Sequence, residues 1–278
     1  MAQYDAIATK YDFIKTTAFN AVERHSFGTC VQPFLNPPRT KDVLDLACGT
    51  GFYSFCLLEW GARSLTGVDV SQVMIDAAAA RLQGSEHATN VKFIQGDGLA
   101  PRLFPVGNEE REGSFDVVTG AWFLNYASNA DELRAMFDTI ALNLKSGGVF
   151  VGICVHPTND VFSFAQDVNA SAWFSSDVHY VYAAKPLASG QGHVFDVIVT
   201  PAADAKPSTE GVRFSSFHLR KALYEEMARA AGLKGTMEWR DCVFPEGWRE
   251  RIGLGADEKR WRTLTDFPLL CNLVLFKE

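Results

Sequence analysis

The amino-acid sequence predicts an α/β fold: one open, mainly parallel sheet with helices on both faces, followed by an antiparallel β insertion. Three observations predict it. Between Val43 and Val155, short apolar stretches alternate with segments of helical period. A Gly49-x-Gly51 turn joins the first strand of that run to its first helix. After His156 the alternation stops and two β-rich stretches follow one another. Strand and helix alternating in this way close into a parallel sheet wound on both sides.

Tyr4, Ile7, Ala8, Tyr11 and Ile14 recur at helical spacing, so an amphipathic helix opens the chain. A Pro-rich break follows at Pro33, Pro37 and Pro38. Val43 to Leu46 is the first strand, Gly49 and Gly51 make the turn, and Phe52 to Trp60 reads as helix. Leu65 to Val68 is a second strand ending at Asp69. Ser71 is a good N-cap for a helix with Met74, Ile75, Ala78 and Leu82 on one face. Val91 to Ile94 and Phe115 to Thr119 are the third and fourth strands. Leu133, Met136, Phe137, Ile140 and Leu144 mark a helix that stops at Gly147-Gly148, and Val149 to Val155 is the fifth strand. Residues 157–217 show no clear long helix; His193 to Thr200 and Val212 to Phe217 read as strands joined by a Pro/Ala/Asp loop. Leu219, Leu223 and Met227 mark a helix closed by Gly232. Strands near Thr236 to Val243 and Leu269 to Phe276 then end the sheet as an antiparallel pair, seven strands in all.

The length of 278 residues suits one large α/β domain or two small ones, and the chain is read as one domain over residues 1–278; with 47% hydrophobic and 21% charged residues it can bury a sizeable core. The net charge of -7 and the absence of any Lys/Arg block argue against a duplex nucleic-acid partner. The longest apolar runs, Gly147 to Val155 and Pro268 to Phe276, fall short of the roughly 20 residues that span a membrane. The opening MAQYDAIATKYD carries acids and no apolar signal core, so no secretion signal is read. The six cysteines form no CxxC and no zinc-ligand spacing with His. They read as reduced, mostly buried thiols of a cytoplasmic protein without a metal site.

The chemistry gathers at Asp45-Leu-Ala-Cys-Gly49-Thr-Gly51. A Gly-rich turn at the carboxyl end of a strand lets backbone approach a ligand, and the helix N-terminus behind it favours negative charge. Asp69 follows Gly51 by 18 residues, at the tip of the second strand, where a carboxylate accepts both hydroxyls of a ribose. The ligand therefore contains an adenosine. Two cofactors share this geometry. A dinucleotide fingerprint wants a third Gly where Ser54 stands and rarely tolerates an acid at Asp45, beside its pyrophosphate. S-adenosylmethionine has no phosphate and carries an ammonium and a sulfonium, which suit Asp45.

VLDLACGTG, then GVDVS with Met74, then Phe93-Ile94-Gln95-Gly96-Asp97, Phe115-Asp116-Val117-Val118 and Leu144-Lys145-Ser146-Gly147-Gly148 together resemble a class I S-adenosylmethionine-dependent methyltransferase over residues 40–155. The resemblance implies a Rossmann-like seven-stranded sheet. It implies that the Gly49–Gly51 loop backs the amino acid part of the cofactor, that Asp69 holds the ribose and that Asp97 meets the adenine amino group. It implies that Val70 and Met74 pack on the adenine, with Asp45, Ala47, Gly98, Ala121 and the entrance-helix Tyr11 completing the cofactor site. Tyr4-Asp5-x-Ile7-Ala8-x-x-Tyr11-Asp12 and Trp122-Phe123-Leu124-Asn125-Tyr126-Ala127 resemble small-molecule methyltransferases of the ubiquinone-biosynthesis type and toxoflavin N-methyltransferase. The whole chain looks most like the fungal thiomethyltransferases that methylate the dithiol of gliotoxin-type epidithiodiketopiperazines. Residues 1–30 are then lid helices, 40–155 the cofactor-binding core, 157–218 a substrate cap, and 219–278 the closing helix and strands.

On the acceptor side, Trp122, Phe123 and Tyr126 follow the fourth strand and suit an apolar or heteroaromatic small-molecule substrate. His156 and His218 are further candidates to face it, although a solvated or satisfied histidine is the blander reading of each. Asn36-Pro37-Pro38-Arg39 is only superficially similar to the Asn-Pro-Pro-aromatic motif of nucleic-acid and glutamine N-methyltransferases. It precedes the first strand and lacks the aromatic. A thiol acceptor is already partly ionised at neutral pH and an amine needs only to be neutral, whereas a hydroxyl needs a strong base. No Asp-His pair is evident, which favours sulfur or nitrogen. The competing readings are an N-methyltransferase of a small heterocycle, an NAD-dependent dehydrogenase, and a non-catalytic S-adenosylmethionine sensor. Oligomeric state is left open.

Overall fold

In the computed structural model the described residues are 14–170, 178–199, 211–251, scattered positions between 257 and 265, and 268–278. The elements in chain order are α1 (Ala18–Val31), β1 (Asp42–Leu46), α2 (Phe52–Glu59), β2 (Ser64–Asp69), α3 (Gln72–Leu82), β3 (Val91–Gln95), β4 (Phe115–Ala121), α4 (Ala130–Asn143), β5 (Leu144–Val155), α5 (Val161–Ala170), β6 (Val178–Tyr182), β7 (Gly192–Val199), β8 (Val212–Leu219), α6 (Lys221–Ala230), β9 (Met237–Arg240), α7 (Trp248–Arg251) and β10 (Leu270–Phe276).

The main sheet has the order β3-β2-β1-β4-β5-β10-β9. β10 runs antiparallel to β5 and β9, and the other pairs are parallel. This is the Rossmann-like sheet predicted from sequence. Helices cover both faces, so β1 is buried at every residue and reads Asp-Val-Leu-Asp-Leu rather than as an alternating strand. The strand order reverses between β1 and β4, which opens a crevice at their carboxyl ends. Gly51, at φ +82, opens α2 in the left-handed region that favours glycine. Ser71 caps α3 by accepting the Met74 N–H, as its position before the apolar stripe predicts.

A second, antiparallel sheet of order β6-β7-β8 forms the insertion. It is fastened to the turn after β4: Ser216 Oγ donates to the Asn125 carbonyl at 3.1 Å and Asn125 Nδ2 to the Phe217 carbonyl at 3.3 Å.

Several boundaries differ from the sequence expectation. The insertion holds a helix, α5, and a third strand, β6, that the periodicity did not show. The helix expected to reach Gly147 ends at Asn143, because Leu144 already pairs with Phe115. Leu219 ends β8 rather than starting the next helix. The segment 1–30, expected as lid helices, includes most of α1. Phe19, Val22, Phe27 and Val31 of α1 are buried, and α1 packs against β5 and β10 as part of the core. The opening helix around Tyr4–Tyr11, Thr200 and the loop after it lie outside the described residues.

Candidate cofactor and acceptor site

Two residues in left-handed conformation stand at the crevice, Ala47 (φ 55) after β1 and Trp122 (φ 66) after β4. Such conformations cost energy in non-glycine residues and cluster where a chain must be aimed at a ligand. Between the carboxyl ends of β1, β2 and β3 lies an open cleft. Ala47, Asp69, Val70, Asp97 and Gly98, all named as candidates from sequence, line it together with Phe123 and Tyr126. Gly98 is needed where it stands, since a Cβ there would sit 2.3 Å from the Phe123 ring.

Asp69 is buried at the tip of β2; its Oδ2 accepts the Gly49 N–H and its Oδ1 the Ser71 N–H, both at 2.9 Å. Exposed Val70 and Leu99 give the cleft apolar rims. Asp97 is exposed and makes an Asx turn, accepting the Leu99 N–H at 2.9 Å. Asp45 lies deeper. Ser54 Oγ donates to it at 2.6 Å and Thr119 Oγ1 at 2.9 Å. Burial pushes its carboxyl up to about 6, against the two hydroxyl bonds that favour the charged form. Ser54, which departs from the dinucleotide pattern, thus serves as the partner of Asp45. Met74 is sealed in the core behind the cleft, Ala121 is half-buried at the end of β4, and Gly49 and Gly51 shape the loop beside it. Tyr11 lies outside the described residues.

A second, narrow cavity lies between α1, the turn after β4 and the three-stranded sheet. Trp122 lines it, and Tyr126 lines both spaces, so they meet at that ring. Phe123, expected on the acceptor side, belongs to the cofactor cleft. Burial raises the Tyr126 phenol far above its ordinary range, so it stays neutral.

The two histidines are placed elsewhere. His218 Nε2–H donates to the His156 carbonyl and Nδ1 accepts from Tyr182 Oη, each at 2.9 Å. This fixes its tautomer, and burial lowers it to about 3. His156 stacks on Phe164 with ring centroids 5.2 Å apart, and burial lowers it as well. Neither lines the two cavities. Conversely, the sequence reading missed Lys15, Phe19 and Glu23 on the acceptor cavity. The signal was present: Phe19, Glu23 and Phe27 share one helix face at i, i+4 and i+8, a carboxylate on an apolar stripe. The described residues hold no cluster of ligands that suits a metal, and their helices include none long and apolar enough to cross a membrane.

Residues 43–148 match a family model described as a methyltransferase domain. The match covers β2 to β4 and most of β1, and is a likeness of this segment to that family. Over 126 residues the chain is 36% identical to a demethylmenaquinone methyltransferase of Lactococcus lactis, covering 44% of this chain and 46% of that protein. It is 32% identical over 174 residues to an mRNA cap guanine-N(7) methyltransferase of Aspergillus niger, covering 50% of this chain and 28% of that one. The chain thus spans less than half the length of these curated relatives. A solved S-adenosylmethionine-dependent methyltransferase of Clostridium acetobutylicum matches 99% of both chains with a TM-score of 0.56 at 17% identity, a likeness of fold. The matched segment holds β2 to β4, the residues lining the first cleft and the turn bearing Trp122 and Tyr126; α1 and the insertion, which complete the second cavity, lie outside it.

Proposed function

We propose that the protein is an S-adenosylmethionine-dependent methyltransferase whose acceptor is a small apolar metabolite, with thiol sulfur as the methylated atom and the dithiol of a reduced gliotoxin-type epidithiodiketopiperazine as the substrate. The observation that carries the reading is the meeting of the two spaces at Tyr126, a cleft built for a nucleoside beside an aromatic-walled cavity. When bound, S-adenosylmethionine supplies a sulfonium-activated methyl group for in-line displacement.

The residues of this chain provide position and dryness, the main resources for such a transfer. Asp69 receives ribose hydroxyls while tying down the Gly49 loop. Val70 and Leu99 flank the adenine, and Asp97 meets its amino group. Asp45, ionised above pH 6, offers negative charge to the amino acid part. Trp122 and Tyr126 hold the acceptor against the methyl. Sulfur is favoured because a thiol supplies its own thiolate, whereas a hydroxyl needs a strong base. The six free thiols suit the reducing cytoplasm as the compartment.

The test is a methyl-transfer screen that offers reduced dithiol, matched amines and matched phenols together, read by mass spectrometry, with calorimetry of S-adenosylmethionine alongside. Methyl gain on sulfur is the expected result. Gain only on nitrogen or oxygen removes the thiol assignment and keeps the methyltransferase; absence of S-adenosylmethionine binding removes both.

A further inference from the structure

Glu23 is 2% exposed, yet it forms part of the wall of the acceptor cavity. Around it that wall is apolar or aromatic: Ile14, Phe19, Tyr180, Phe195, Val197 and Phe214. The hydrogen bonds that Glu23 accepts both fall on one oxygen. Tyr53 Oη donates to Oε1 at 2.5 Å and Lys15 Nζ at 3.3 Å. Tyr53 is steadied in turn by Asn20 Nδ2, which donates to its oxygen at 3.2 Å. Lys15 lies over the Tyr53 ring at 4.7 Å and the Phe52 ring at 5.2 Å, so the ion pair is clamped from both sides. Among the described residues, Tyr180 and Cys242 also feel the Glu23 charge.

A carboxylate is costly to bury, and the cost is recovered only when its lone pairs are used. A purely structural role, tethering Lys15 and Tyr53 to α1, accounts for Oε1. It does not account for a carboxylate in the wall of an apolar cavity, with Oε2 uncommitted among the described residues. That oxygen is placed to receive a donor from whatever fills the cavity.

We propose, resting on the methyltransferase reading, that Glu23 is the acceptor-recognising group of this pocket, and that the acceptor is an apolar ring-sized molecule carrying, besides its methylated atom, a hydrogen-bond donor that Glu23 receives. Glu23 thereby sets specificity and orientation: one end of the acceptor is pinned at α1, and the reacting atom is turned toward Tyr126 and the cofactor cleft.

The test uses three ring-sized acceptors, a dithiol, a secondary amine and a phenol. Each is made with an additional free hydroxyl and with that hydroxyl capped as a methyl ether. kcat/KM is measured for the wild-type protein and for Glu23→Gln, with S-adenosylmethionine affinity and melting temperature as controls. For the acceptor turned over, capping should cost the wild type about 10- to 100-fold in kcat/KM, carried mainly by KM, the usual scale for a hydrogen bond to a charged group. Glu23→Gln should lose a similar factor on the free-hydroxyl form and only a few-fold on the capped form, with S-adenosylmethionine binding unchanged. Equal kcat/KM for free and capped acceptors in the wild type overturns the proposal, whether or not the variant folds. So does a wild-type protein that binds S-adenosylmethionine and turns over none of the three. A wild-type protein that does not bind S-adenosylmethionine instead overturns the methyltransferase reading beneath it.

Discussion

The Asp69 carboxylate accepts the backbone N–H of Gly49 at 2.9 Å, so the acid at the tip of β2 also holds the glycine loop that follows β1. Asp69→Ala therefore removes two things, the ribose acceptor and the loop anchor. Charge-assisted hydrogen bonds are worth roughly 1.5–3 kcal/mol each, partly replaced by water. S-adenosylmethionine affinity should fall by at least about 10-fold. Amide exchange at Gly49 should quicken in the unliganded variant. Calorimetry and hydrogen exchange read the two effects separately, and unchanged affinity in a folded Asp69→Ala protein removes the ribose assignment.

Asp45 is a buried carboxylate held up in the protonated direction by desolvation. Its folded-state value of about 6 lies above the unfolded value near 3.9, so between those pH values the native state binds the proton more tightly. Stability therefore falls as pH rises through that window, and the cost, on the order of 3 kcal/mol, is fully present above about pH 7. Asp45→Asn should melt higher than wild type at pH 8 and like it at pH 4, while binding S-adenosylmethionine more weakly. Melting curves across pH check this. A variant destabilised equally at both pH values contradicts it.

Trp122 touches the acceptor cavity and not the cofactor cleft. Trp122→Ala should raise the acceptor KM by 10-fold or more through lost aromatic contact, roughly 2 kcal/mol, and leave S-adenosylmethionine affinity within two-fold. Equal losses of both affinities mean that the substitution has collapsed the turn after β4.

His218 is held neutral between Tyr182 and the His156 carbonyl, with its folded-state value lowered by burial to about 3. The unfolded chain binds the proton more readily, so this histidine makes stability decline as pH falls below about 6.5. Exchange protection in β6, β7 and β8 should drop between pH 7 and pH 5, and less so in His218→Gln. The same variant should retain measurable methyl transfer, because its ring lies outside both cavities.

The core from β1 to β5 was legible because strands buried on both faces must be short apolar runs, and because the Gly49–Gly51 turn and Ser71 cap are chemical punctuation. The cofactor side followed from strand-end acids. The acceptor side did not, since its walls come from three distant segments that only the fold brings together. α5 was hidden by its Val161-Phe162-Ser163-Phe164 start, which reads as strand, although Asp160 accepts the Ser163 N–H at 3.0 Å as a helix cap does. The end of α4 was set at long range: Asn143 Oδ1 accepts the Phe104 N–H at 2.9 Å and its Nδ2 donates to the Arg102 carbonyl at 2.8 Å. His156 and His218 drew attention by residue type, and burial made them structural.

The acceptor atom leaves a signature in the pH dependence of the chemical step. With cofactor and acceptor saturating, a single-turnover experiment reports bond formation alone. If sulfur attacks, its thiolate fraction controls the rate, which should climb with pH toward a thiol pKa of about 8.5, or lower if the pocket favours the anion. Asp45 does not imitate this rise, because it is ionised from about pH 6 upward. Tyr126 does not either, because burial holds its phenol far above the range scanned. His156 and His218 are both lowered, so they are already neutral over it. The cysteines Cys48, Cys154 and Cys271 are likewise raised by burial and stay protonated. A rise between pH 7 and 9 therefore belongs to the acceptor. It should move with the acceptor thiol's own pKa when an electron-withdrawing group is placed beside the sulfur, and it should persist in His156→Ala at a lower plateau. A rate that is flat from pH 7 to 9 with a saturating dithiol rules out thiolate attack as the step this site controls.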